Sequence, residues 1–231
     1  RRNSHLNNIR IVCKHVVHLL NNLLDVYRLN EAKETRNDVP FSLNSLLERV
    51  ASGFSHVVTN KGILFKSDFK DTDVNLYGDV DRIEQIMDNL LTNAVKFTES
   101  GAIELNACYH DGVLLLEVKD SGIGMSPETL SRIFRPFERL TSATNVDGVG
   151  LGLPITKGIV RLLGGEINVT SDIGQGTTFR MTLPLNITDE PVESENKILP
   201  HPEHLPQNVL VIDDDTMFLD VIKEMLERNG M

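Results

Sequence analysis

The chain has 231 residues, 40% of them apolar and 24% charged, with 33 acidic against 23 basic side chains and a formal charge of −10. This is the composition of a folded protein of one or two domains, and its charge argues against general binding to nucleic acid or an anionic membrane, because like charges repel. The two cysteines, Cys13 and Cys108, stand far apart with no CxxC, so neither a disulfide framework nor a zinc cage is expected and both read as free thiols in a reducing compartment.

No apolar run approaches the ~20 residues that span a bilayer, and the opening Arg1-Arg-Asn-Ser-His5 has no signal-peptide apolar region. The expected location is cytoplasmic, with any membrane anchor in upstream segments of a parent protein. From His5 to Asn30, Ile9, Cys13, Val16, Leu20, Leu23 and Tyr27 recur at alternating steps of four and three, and Val12, Leu19 and Val26 widen the stripe. Such a face predicts a long helix covered by other helices, as in a bundle. His15 and His18 on this helix have no carboxylate or cysteine at matching spacing and read as structural rather than as metal ligands.

Asn37-Asp-Val-Pro40 ends that helix, since proline removes a donor and biases the residue before it away from helical angles. Ser42 is the expected cap of a second helix with a core face of Leu43, Leu46, Leu47, Val50, Phe54 and Val57, ending near Lys61-Gly62. Residues 63–69 and 74–77 read as strands joined by a Lys-Asp-Thr-Asp turn. Asp79 caps a helix predicted over Val80 to Phe97, with Ile83, Ile86, Met87, Leu90, Ala94 and Phe97 facing the core. Ala102–Tyr109 and Val113–Lys119 form a hairpin around His110-Asp-Gly112. A short helix follows the Ser126 cap and Pro127. Residues 140–150 carry turn formers without periodicity and read as a loop. A helix starts near Gly152 and stops at Gly164-Gly165, and strands 166–171 and 177–185 close the unit.

Residues 42–185 thus read as one α+β domain with helices on one face of a mixed sheet. Residues 186–207, rich in proline and acid, read as a linker, and His201 and His204 as part of its solvated surface. Val209-Leu-Val-Ile212, Asp213-Asp-Asp215 and the apolar positions 218, 219, 222 and 226 read as one strand–helix unit of a parallel α/β domain.

Four motifs between residues 85 and 152 carry the chemistry. Gln85, Asn89, Asn93 and Lys96 are spaced 4, 4 and 3 apart and share one helix face. They are either a solvated stripe or a row of amide oxygens and one ammonium facing a ligand, oxygen being what Mg²⁺ prefers. Asp120 ends an apolar strand and is followed by Gly122 and Gly124. It is either a turn or a carboxylate facing an amino group on a flat heterocycle that the glycines let approach. Phe134-Arg-Pro-Phe137 is the third motif. Gly148, Gly150 and Gly152 precede a helix start, where free N–H groups favour phosphate, although neither the GxxxxGK[ST] loop nor GxGxxG is present.

The four motifs, in this order, resemble the N, G1, F and G2 boxes of the ATP-binding domain of sensor histidine kinases, which share a fold with gyrase, heat-shock chaperones and mismatch-repair ATPases. Gly174-Gln-Gly176-Thr177 resembles the last glycine box. The resemblance implies a Bergerat-type two-layer sandwich over residues 37–185, with ATP and Mg²⁺ as ligands. It makes Asn93 the Mg²⁺ ligand, Asn89 a catalytic residue supporting the metal–phosphate region, and Lys96 a phosphate contact. It gives Asp120 the adenine amino group, with Gly122 and Gly124 shaping that pocket and Thr177 near adenine. It gives Gly148, Gly150 and Gly152 the triphosphate, and makes Phe134 and Phe137 anchors of the loop. Hydrolytic relatives carry a glutamate where Asn89 stands, and an amide cannot act as that base, so transfer to a protein side chain fits better than hydrolysis.

The flanks resemble the same family in its hybrid form. Residues 1–36 resemble the second helix of the dimerisation and phosphoacceptor hairpin, and residues 208–231 the start of a receiver whose acidic pair, Asp213 and Asp214, would help bind Mg²⁺. No histidine here has the context of the family's phosphoacceptor, so the first hairpin helix and the receiver's phosphoacceptor aspartate are expected outside this chain. The expected function is donation of the γ-phosphate of Mg–ATP to a histidine elsewhere, for relay to a receiver aspartate, in a parent that is a homodimer and can serve a separate response regulator. The alternatives are a hydrolytic ATPase of the same fold and a nucleotide-gated interaction module.

Overall fold

A computed structural model describes residues 35–138 and 150–192. The expected long helix over 5–30, Gly148, most of the linker, and the strand–helix unit with Asp213 and Asp214 lie outside the described residues.

The first strand, β1 (Val39–Ser42), runs directly into α1 (Leu43–Asn60). Ser42 is extended and its hydroxyl accepts the Ser45 N–H at 3.3 Å, which satisfies one of the free donors of the first turn. Gly62, with φ +76°, turns the chain out of the helix. The buried face is Leu43, Leu46, Leu47, Val50, Ala51 and Val58, with Phe54 half-buried. Val57, expected in the core, is 52% exposed and Val58 takes its place at 0%. Eleven residues make about three turns, so position 58 returns beneath Leu47 while 57 lies about 100° away.

The next elements are β2 (Leu64–Lys70), β3 (Asn75–Gly78) and α2 (Val80–Phe97). Asp79 caps α2 through the Arg82 N–H at 3.2 Å. Its other carboxylate oxygen takes the Asn37 N–H at 2.9 Å, so one buried side chain ties the approach to β1 to the start of α2. The chain continues through β4 (Ala102–His110), β5 (Val113–Asp120), α3 (Pro127–Leu130), α4 (Gly152–Leu162), β6 (Glu166–Asp172), β7 (Gly176–Pro184) and β8 (Asn186–Ile187). Asp111 and Gly112, with φ +49° and +79°, form the two-residue turn between β4 and β5. Two successive positive φ values are what a tight hairpin of twisted strands requires.

The main sheet has the order β2-β4-β5-β7-β6, with β2 and β4 parallel and the other pairs antiparallel. Its inner face carries Ile103, Leu105, Leu114, Leu116, Val118, Phe179, Met181 and Leu183, all buried. They share one core with the apolar faces of α1, α2 and α4. The outer face is polar: Glu117 meets Arg180 at 2.6 Å and Asn106 at 3.0 Å, and Glu104 meets Lys119 at 3.5 Å. The expected mixed sheet with helices on one face is therefore present.

The strands read at 63–69 and 74–77 are present as β2 and β3 but fall in different sheets, because β3 joins β1 and β8 in a separate three-stranded antiparallel sheet. The stretch between them crosses from one sheet to the other, fixed by Thr72 Oγ1 on Asn44 Oδ1 at 3.3 Å and by the Leu43 N–H on the Val74 carbonyl at 3.1 Å. Asn186 and Ile187, read as linker, pair with Tyr77 and Leu76 and belong to that small sheet.

Replacing Asp79 with Ala removes the cap and the brace to Asn37 together. The expected loss is about 1–2 kcal/mol of stability, read as a lower urea midpoint with an unchanged slope, and Asp79→Asn recovers part of it.

Candidate nucleotide site

The side chains of α2 divide by helical angle. Ile83, Ile86, Met87, Leu90, Leu91 and Ala94 are buried, and Asn89, Asn93 and Lys96 lie half-buried along one edge of that face. Asn89 Nδ2 donates to the hydroxyl of Thr156 on α4 at 3.5 Å. A Cβ at Gly152 would stand 3.6 Å from Asn89 Oδ1, so the amide oxygen faces the first turn of α4. The Asn93 side chain is half-buried and makes no hydrogen bond among the described residues. Lys96 Nζ lies 5.1 Å from the Phe97 ring centroid. Gln85, on the same stripe, gives its amide oxygen to Arg82 at 2.6 Å.

At the other end of α2 lies the close of β5. Asp120 is 8% exposed, and its carboxylate accepts the backbone N–H groups of Gly122, at 2.8 Å, and Thr177. Burial raises its pKa above the usual 3.8 because the charged form loses water, and the two amides offset part of that. Gly122 is pressed against the end of α2: a Cβ there would lie 2.4 Å from the Phe97 carbonyl oxygen. At Gly124, with φ +63°, a Cβ would lie 1.9 Å from the Asp172 carbonyl oxygen. Only glycine fits either place without moving the backbone.

Ser171, which the sequence did not single out, braces this end. Its hydroxyl accepts the Met125 N–H at 2.9 Å, donates to the Gly176 carbonyl at 2.8 Å and lies 3.0 Å from the Thr177 hydroxyl. Its signal is register: Ser171 faces Thr177 across the β6–β7 pair, and Thr177 faces Asp120 across β5–β7. Thr156 was also missed, because a lone threonine on an apolar helix face carries no motif.

Phe134 and Phe137 behave differently from each other. The Phe134 ring is half-buried against the core, with Lys157 Nζ 4.8 Å from its centroid. The Phe137 ring is 60% exposed, and it is the Phe137 main chain that anchors, donating to the Gly150 carbonyl at 3.0 Å from φ +65°. The two ends of the segment between Glu138 and Gly150 are thereby held together. Gly150 has φ +75°, and a Cβ on it would meet the Glu138 carbonyl at 2.4 Å.

Beyond it α4 starts at Gly152 with no side-chain cap on its free N–H groups and no acidic residue in its first turn. That helix end attracts an anion through its free donors and its dipole. Among the described residues no three His, Cys, Asp or Glu side chains gather as a metal site, so a cation here would take amide oxygens from α2 together with oxygens of its ligand. The structure thus brings Asn89 to Gly152 and Thr156, and Asp120 to Gly122 and Thr177. Asn89 and Phe97, which mark the two clusters on α2, are eight residue steps apart, about 12 Å along the helix axis.

A scan against protein families matches residues 78–187 to "Histidine kinase-, DNA gyrase B-, and HSP90-like ATPase". The autoinducer 2 sensor kinase/phosphatase LuxQ of Vibrio parahaemolyticus is 34% identical over 199 residues, 81% of this chain and 23% of LuxQ. The sensor histidine kinase GacS of Pseudomonas protegens is 30% identical over 239 residues, 100% of this chain and 26% of GacS. The chain therefore spans about a quarter of the length of these relatives. Among solved structures, full-length ShkA in complex with AMPPNP superposes with a TM-score of 0.72 at 31% identity, over 82% of this chain and 40% of ShkA.

The raised pKa of Asp120 has a consequence for stability. The folded state holds this proton to higher pH than the unfolded chain does, so the contribution of Asp120 is greatest below about pH 3.8 and falls as pH rises through the folded pKa. Urea unfolding over a pH series is expected to show wild type losing stability relative to Asp120→Asn in that direction. A constant difference would mean that the carboxylate titrates normally.

Proposed function

Residues 78–187 belong to the histidine kinase-, DNA gyrase B- and HSP90-like ATPase family, and from this premise we propose that the chain is the ATP-binding catalytic part of a hybrid sensor histidine kinase. The observation that carries the reading is the pairing of two unlike ends along α2. A buried carboxylate among glycines suits the amino edge of adenine, and an uncapped helix start beside Asn89 suits a polyphosphate.

In this reading Asp120 accepts from the adenine amino group, Gly122 and Gly124 leave room for the ring, and Thr177 borders it. Asn93 offers its free amide oxygen to Mg²⁺, Asn89 supports the same region, and Lys96 contacts phosphate. Gly148, Gly150 and Gly152 line the phosphates, and Phe134 and Phe137 secure the ends of the adjoining segment. Bound Mg²⁺ neutralises phosphate charge during transfer. The residues themselves contribute position: the side chains fixed on α2 and α4 hold the terminal phosphate where an incoming nucleophile can reach it in line. Asn89 cannot accept a proton from water, which favours a histidine of the parent's dimerisation hairpin as acceptor, with onward relay to a receiver aspartate. The parent is then a homodimer that serves its own receiver or a separate response regulator. A cytoplasmic location for the domain goes with this reading, and no helix among the described residues is long and apolar enough to cross a membrane.

Calorimetric titration tests the binding half. Asn93→Ala is expected to remove the Mg²⁺-dependent part of ATP affinity, tenfold or more, which is about 1.4 kcal/mol, while Asp120→Ala lowers affinity with and without Mg²⁺. Transfer is tested with γ-labelled ATP. The purified chain should gain no acid-labile label alone and should label a separately supplied dimerisation hairpin. Label accumulating on the chain itself would place the acceptor among its own seven histidines.

A further inference from the structure

On the other flank of α2 from Asn89 and Asn93, a groove of about 190 Å³ lies between α1 and α2. Val50, Gly53, Phe54 and Val57 of α1 form one wall, and Glu84 and Asp88 of α2 the other. We propose that this groove is a docking site for a partner protein that inserts an aliphatic or aromatic side chain next to a lysine or arginine. The inference is independent of the nucleotide reading.

Gly53 is the first argument. It sits in the interior of an 18-residue helix, where glycine is the least favourable residue after proline. Its φ is not positive, and a Cβ on it would meet nothing within 4 Å. Neither backbone nor internal packing requires glycine there, so what its missing side chain provides is space above the helix.

The size and lining of that space are the second argument. An apolar cavity of about 150 Å³ accommodates benzene, so this groove admits a side chain of about six carbons. Val57 is 52% exposed and Phe54 is only half-buried, leaving apolar surface at the mouth.

Charge then selects the occupant. Arg49, also at the groove, is bound to Glu84 at 2.9 Å. The lining also holds the Asp88 carboxylate, which makes no salt bridge among the described residues. Loss of water raises the Asp88 pKa, and the charge of Arg49 offsets this only in part. A second cation would complete the pairing, whereas an anionic ligand would be repelled. The chain's charge of −10 steers a basic partner towards it and disfavours a second copy of itself.

The test uses the full ¹⁵N-labelled chain and two helical peptides of equal length, one with leucine and arginine four residues apart and a sibling with glutamate in place of the arginine. The leucine–arginine peptide is expected to shift the amides of Gly53, Val57 and Asp88 saturably, and its sibling not to. Gly53→Leu, which fills the groove, and Asp88→Asn should each weaken binding at least fivefold with ATP affinity unchanged. Gly53→Ala should raise the unfolding midpoint while still weakening the peptide, which separates docking from folding. Equal binding of the two peptides, unchanged binding by Gly53→Leu, or no saturable shift at millimolar peptide would overturn the proposal. A photo-crosslinking residue at position 57 provides a further check. Attachment to residues 1–34 or 193–231 of the same chain, or to a second copy, would also overturn it, because the occupant would then not be a partner protein.

Discussion

The seat of α2 on the sheet is the constraint on which the rest of the structure depends. Six apolar side chains from Ile83 to Ala94 are buried there, the five larger than alanine each contributing about 1.5–3 kcal/mol relative to exposure, against about 1 kcal/mol for a cap. Burial therefore fixes the rotation of the helix, and Asp79 fixes its start. Once rotation is set, the angles of Asn89, Asn93 and Lys96 follow, because each residue advances about 100°. The far end is located as firmly: the Phe97 carbonyl accepts the Ile123 N–H at 3.2 Å and abuts Gly122. One rod thus joins the place where Asp120 waits to the place where α4 begins.

Asp120 shows what such rigidity is used for. A buried carboxylate without a cation beside it is costly, and its raised pKa records that cost. Two backbone amides, from Gly122 and Thr177, are its compensation. Both belong to segments whose path only glycine permits, at 122, 124 and 176. The glycines therefore serve the carboxylate by letting the chain pass close enough to bring amides onto it. A buried carboxylate perturbed in this way is common at functional sites.

Local features were legible in the sequence where local physics decides them. Asp79 and the apolar spacing located α2 at Val80–Phe97, Asp111-Gly112 located the hairpin, and Ser126-Pro127 located α3. Strand partnership was not legible. Residues 64–70 and 75–78 are neighbours in the chain, yet β2 pairs in parallel with β4 after β3 and α2 have intervened, and β3 leaves for another sheet. Nothing within either strand encodes that choice, which is settled by the shared core. The same holds for Thr156 and Ser171, whose roles come from what lies across a helix contact or a ladder rather than from their neighbours in sequence. Phe137 is the intermediate case: the motif marks the right place, but the anchor is its amide rather than its ring.

The two flanks of α2 raise the question of how far occupancy of one side can be felt on the other. Coupling needs an element with two arrangements that both sites bias. Side chains cannot relay it through the buried face, because Ile86, Met87 and Leu90 are close-packed at 0–1% exposure and have no room to repack singly. The helix could transmit a signal only by shifting as a body, and that would disturb Asp79 at one end and the Phe97–Ile123 contact at the other. Both ends are tied by hydrogen bonds to segments that lead into β1 and follow β5. Any coupling across α2 must therefore be expressed at its termini, which are also the points where the helix meets the chain's approach to β1 and the segment that follows Asp120.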